Sequence, residues 1–149
     1  MRLWGRGIVV IGAASLLLVA LTGCGETANP GRVAVVDRAV KAIAPASLGR
    51  VVCDKTVQNN ELMSTVRPQR TIALLGVGKD EQLIQRLNNS GFPSTGGTTT
   101  AGGEVEIFLT GPKGVTASVF SARKSFGIDN HGRRCTVPKQ GVTLVQFDL

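Results

Sequence analysis

The chain has 149 residues, and its 17 Lys and Arg against 10 Asp and Glu leave a net charge of +7 at neutral pH. That length suits one domain with a sizeable core rather than several domains. With one Trp, no Tyr and five Phe, aromatics are too scarce for base stacking along a nucleic acid or for a broad aromatic sugar-binding platform.

Arg2 and Arg6 precede a 14-residue apolar run, Ile8 to Leu21, which closes on Leu21-Thr22-Gly23-Cys24. A positive start, a short apolar core and a small-residue exit describe a secretory signal. A transmembrane anchor needs about 20 apolar residues, and Gly12, Ala13, Ala14 and Ser15 weaken this run further as a span. An ordinary signal peptide with Cys24 incidental is the other reading. Leu21-Thr22-Gly23-Cys24 resembles the lipobox of bacterial lipoproteins. The resemblance implies that Cys24 receives a diacylglyceryl group and becomes the new N-terminus. It also implies that residues 1–23 are removed and that the protein sits at the cell membrane, lipid-anchored on the extracytoplasmic face. Residues 24–31 then form the lipidated Cys and a tether, and residues 32–149 a single domain. The mature domain resembles small Gram-positive envelope lipoproteins of unknown function.

Loss of Arg2 and Arg6 leaves 15 basic against 10 acidic residues, a mature charge of +5. A basic anchored domain is drawn to anionic headgroups or to anionic wall polymers. No nucleic-acid partner is expected outside the cytoplasm. With Cys24 committed to lipid, Cys53 and Cys135 are the two remaining cysteines. In an oxidising compartment they are expected to pair. The bond would join residues 82 apart, a closure worth about 4.5 kcal/mol in the loop-entropy model. No Cys-x-x-Cys spacing points to redox work.

After the tether, Asn29 and Pro30 read as cap and first residue of a helix. Val33, Val36, Val40 and Ile43 form its apolar face, and Pro45 and Gly49 end it. Val51-Val52-Cys53 reads as a short strand. Asp54 to Arg67 is ambiguous, with Asn59-Asn60 as a turn or Glu61 to Val66 as a helical turn before Pro68. Thr71 to Leu75 is a continuous apolar run of the sort a strand covered on both faces shows. Asp80 and Glu81 open a second helix where the dipole favours negative charge. Leu83, Ile84 and Leu87 form its apolar face, and Gly91, Phe92 and Pro93 close it. Ser94 to Gly103, with four Gly and four Thr, reads as an irregular loop. Glu104 to Thr110 and Val115 to Ala122 alternate as two strands joined by a tight Gly111–Gly114 connection. Val105, Ile107 and Leu109 are expected to face the core with Val115, Ala117 and Val119. Val142 to Leu149 supplies the last strand, with Val145, Phe147 and Leu149 on one side. The expected fold is α+β, two helices packed on one face of a mostly antiparallel sheet of four to five strands.

Leu75-Gly76-Val77-Gly78-Lys79 lies between a strand and a helix N-terminus, where anions bind. Yet it lacks the Gly-x-x-x-x-Gly-Lys-[Ser/Thr] spacing, has Glu81 at the third fingerprint glycine, and reads as a tight turn. Arg123, Lys124, Arg133, Arg134 and Lys139 crowd a segment whose single acid is Asp129. They form a candidate patch for an anionic partner, against the plainer reading of a solvated loop around Cys135. His131, the only His, has no accompanying metal-ligand spacing or nucleophile elbow. Glu104 and Glu106, two apart, share a strand face and offer oxygens to a cation. No cofactor and no catalytic set is legible. The chain reads as an envelope binding and interaction module, whose partner is an envelope protein or an anionic wall polymer. A small-ligand or lipid carrier and an envelope hydrolase using His131 are the alternatives.

Overall fold

A computed structural model describes residues 28–57, 68–99, 103–123 and 137–149. The signal segment, Cys24, the first tether residues, the Glu61–Val66 reading, Lys124, His131, Arg133, Arg134 and Cys135 lie outside them. The elements run in the order α1 (Pro30–Ile43), β1 (Val51–Val57), β2 (Gln69–Leu75), α2 (Asp80–Asn89), β3 (Ser94–Thr99), β4 (Val105–Thr110), β5 (Thr116–Ala122) and β6 (Val142–Asp148). The strands form one sheet in the order β1-β2-β6-β5-β4-β3. All five pairings are antiparallel. The fold is therefore α+β.

The expected strand count of four to five is corrected to six. The extra strand is β3, in the segment read as an irregular loop. Its sequence, Ser-Thr-Gly-Gly-Thr-Thr, has no residue buried on either face, so the period-2 hydrophobic signal that marks a strand is missing. Pairing with β4 holds it, Gly96 opposite Phe108 and Thr98 opposite Glu106.

Helix boundaries follow from local chemistry. Asn29 Oδ1 accepts from the Gly31 amide at 2.8 Å, and Pro30 brings a preset φ to the first turn. At the other end Ala44 turns left-handed (φ 44°) and returns its amide to Val40 O at 3.2 Å before Pro45 blocks continuation. The buried stripe is Val35, Val36, Ala39 and Ile43, with Val33 and Val40 at its margin. Ala28 also packs on the core, so the fold reaches back into the segment read as tether. In α2, Leu83 and Leu87 are buried. Gly91 takes φ 90°, and Phe92 returns its amide to Leu87 O at 3.0 Å.

Strand alternation divides the sheet into two unlike faces. On the helix face, Ile72, Leu74, Leu109, Ala117, Val119, Val145, Phe147 and Leu149 meet the buried stripes of α1 and α2. Phe92 lies edge-on to Phe147, ring centroids 5.9 Å apart. Val105 departs from expectation at 55% exposed, because it pairs with Thr99 at the far end of the edge hairpin. On the outer face a smaller cluster joins Cys53, Ala73, Phe120, Ala122, Val142 and Leu144, with Val52 and Val137 packed against it. Cover on both faces explains why Thr71, Ile72, Ala73 and Leu74 are all buried in β2. Among the described residues no helix is long and apolar enough to cross a membrane.

Candidate functional site

The turn from β2 to α2 has the position of an anion site, but two of its amides are already taken. The Gly78 amide donates to Ser121 Oγ at 3.2 Å, and the Lys79 amide donates to Thr143 Oγ1 at 3.3 Å. Ser121 Oγ in turn donates to Asp80 Oδ1 at 2.6 Å, and Thr143 Oγ1 to Gly76 O at 3.0 Å. Lys79 Nζ is turned back onto Leu75 O at 2.7 Å. The Gly78 and Lys79 amides are spent on two strand hydroxyls, and Asp80 adds a carboxylate at the helix start, which disfavours an anion there. The arrangement is a half-buried polar clasp that docks α2 onto β5 and β6. Ser121 and Thr143 went unnoticed in the sequence. Their one signal is a hydroxyl interrupting the apolar alternation of each strand.

The basic segment is only partly described. Arg123 follows the end of β5, and Lys139 lies in the turn before β6; both are exposed. The structure brings their surroundings together, since a Cβ on Gly141 would stand 3.4 Å from Arg123 Cα and 2.8 Å from Val77 Cγ1. Gly141 also returns its carbonyl to the Gly76 amide at 2.9 Å. Both cations thus stand at the end of the sheet that carries the β2–α2 turn. Arg123 also gives its backbone amide to Glu104 Oε1 at 3.4 Å. Glu104 is drawn to that end, while Glu106 lies in the outer-face groove described next.

That groove, of about 410 Å3, opens across the lower half of the outer face. Its floor is the register Gln146–Ser118–Phe108 across β6, β5 and β4, with Thr95 of β3 at its edge. Glu106, Thr110, Thr116 and Asp148 flank it. Phe108 is 39% exposed there, and Gly96 opposite it adds no side chain. Asp148 is held by Thr116 Oγ1 at 2.8 Å and Gln69 Nε2 at 3.4 Å. This is an open surface of mixed polar and apolar character. The space between helices and sheet, where a carrier would hold its ligand, is filled by fully buried Val36, Ile43, Leu74, Leu83, Leu87, Val119 and Phe147. Among the described residues no group of three or more His, Cys, Asp or Glu is placed to hold a metal ion.

Among the described residues the charge cluster held by ion pairs is structural. Arg70 on β2 reaches Asp54 on β1 through two nitrogens, both at 3.0 Å, and Asp37 on α1 at 2.7 Å. Its guanidinium is held above its ordinary pKa, chiefly by the Asp54 hydrogen bond and against the opposing effect of burial. It stays charged at every working pH.

Cys53 lies buried on the outer face. The class defined by these features is a small α+β domain, a six-stranded antiparallel sheet with two helices on one face. Comparison of the chain with protein-family models, with curated proteins and with solved structures finds no match.

Proposed function

We propose that the protein is a lipid-anchored extracytoplasmic lipoprotein, acylated on Cys24, whose disulfide-linked domain acts as an interaction module in the cell envelope. The lipobox-like Leu21-Thr22-Gly23-Cys24 is the observation that carries the location. Support for a Cys53–Cys135 bond comes from Val137. It packs against the cluster that contains Cys53, and Cys135 is two residues before it in the chain. Support for binding comes from Arg123 and Lys139, exposed together at one end of the sheet, in a mature chain of charge +5. An anionic wall polymer fits them through charge alone.

Intact mass of protein from its native membrane, before and after reduction and alkylation, tests the covalent part. A chain beginning at an acylated Cys24, with Cys53 and Cys135 alkylated only after reduction, is the expected result. An unacylated mass removes the anchor. For the binding part, protein anchored in neutral phosphatidylcholine vesicles is titrated with polyglycerol phosphate. Ser at Arg123, Arg133, Arg134 and Lys139 should weaken capture at least tenfold and abolish its salt dependence. Unchanged capture would dismiss the basic segment as the binding element.

A further inference from the structure

The start of α1 and the β4–β5 turn form the end of the sheet opposite Arg123 and Lys139. Arg32 Nη2 donates to Gly114 O at 3.0 Å. Lys113 Nζ stands 2.8 Å from the position a Cβ would take on Gly31. Ala28 is already packed on the core, and Cys24 is four residues earlier in the chain. Even fully extended, those four residues span only about 14 Å. The strands between the two ends have seven residues in β5 and β6, a length of about 23 Å. A lipid on Cys24 therefore reaches the membrane from the Arg32–Lys113 end and leaves Arg123 and Lys139 at the far end.

Charge at the near end suits a bilayer surface. Lys113 is exposed at the tip of the turn, and Arg32, half-buried with its Nε shielded, brings the rest of its guanidinium beside it. Asp148, the carboxylate at that end of β6, is already hydrogen-bonded by Thr116 and Gln69. We propose that in the anchored protein this end is seated on the bilayer, with Lys113 and Arg32 against anionic lipid headgroups and the Arg123–Lys139 end turned outward. The proposal rests on the lipid-anchor reading and deepens it, because it assigns the basic segment to a partner beyond the membrane instead of to headgroups. A short leash limits tilt, and each cation near an anionic surface favours the seated orientation by about fivefold.

The chain supplies a clean test. Its only Trp is Trp4, ahead of Cys24, so a Trp introduced into the mature chain reports alone. Ala34 and Ala42 are both exposed on α1, eight residues and about 12 Å apart along the helix, and Lys139 marks the far end. Ala34→Trp, Ala42→Trp and Lys139→Trp are each prepared as acylated protein, in phosphatidylcholine–phosphatidylglycerol vesicles with a headgroup-spin-labelled lipid. Quenching should fall in that order, and Lys113→Glu should reduce it at position 34 by severalfold. Equal quenching at all three positions, or strongest quenching at 139, overturns the seating. The intact mass of the same preparations separates the two readings. Absence of acyl chains defeats the anchor itself, whereas acylated protein with a flat quenching profile defeats only the seating.

Discussion

The two edges of the sheet are built on opposite terms. β1 carries Asp54 and Lys55, buries Cys53 in the outer cluster, and is braced to α1 through Arg70, Asp54 and Asp37. β3 has no charge and no buried side chain, and its Ser94–Gly96 stretch is irregular in register. Charge and bulges guard a sheet edge against stray pairing. β1 has both, while β3 relies on its irregular start, its glycines and the lack of any apolar side chain to recruit a partner. One edge is a load shared with the core, and the other is a strand held by its ladder to β4 and by a few exposed hydrogen bonds at its start, among them Thr95 Oγ1 to Phe108 O at 3.3 Å. The root of β3 is the exception. Phe92 is buried just before it, the Thr110 amide donates to Pro93 O at 3.1 Å, and a Cβ on Gly111 would collide with the Phe92 ring.

The contrast sets an order of expected effects. The largest belongs to β1, where Cys53→Ser should cost about 4.5 kcal/mol if the 82-residue closure to Cys135 exists. Chemical denaturation of wild type with and without reductant checks this, and equal midpoints would refute the bond. Next, Phe92→Ala should cost about 4 kcal/mol, the loss of a fully buried aromatic. Hydrogen exchange should then show the β3 amides opening ahead of β6. Arg70→Ala removes the cation from two carboxylates, one of them 61% exposed, so about 1–2 kcal/mol is expected. Repeating the measurement in 1 M salt should shrink that difference, because exposed pairs are screened. The smallest effect is expected in β3 itself, where Thr98→Ala should change stability by less than about 0.5 kcal/mol. A loss above 1 kcal/mol there would show that β3 bears load after all.

Punctuation made much of the fold legible. Asn29-Pro30 and Pro45 bracket α1, and Asp80-Glu81 and Gly91-Phe92-Pro93 bracket α2. Each acts within one helical turn, so neighbours in sequence suffice to encode it. The turn at Gly76–Lys79 was likewise readable as a turn. Its reason was not, because Ser121 and Thr143, which occupy its amides, lie 43 and 64 residues away from the amides they accept from. The register of β6 between β2 and β5 escaped for a similar cause. Antiparallel pairing of β6 with β2 across half the chain, and with β5 across 20 to 30 residues, leaves no local pattern.

By itself the sequence determined where the two helices begin and end, Val36 and Ile43 of the α1 stripe, Leu83 and Leu87 of the α2 stripe, and the Gly111–Gly114 connection. Each depends on residues within a few positions of one another, whereas packing chose Val35 and Ala39 over Val33 and Val40. Only the tertiary structure decided that Ser94–Thr99 is a strand, that Val105 lies beyond the core's cover, and that Arg123 and Lys139 stand at the opposite end from Arg32 and Lys113. Those outcomes depend on which distant backbone offers its hydrogen bonds and on which end of a strand the chain enters. Hydrophobic periodicity specifies the face a residue takes, but not its neighbour across the sheet.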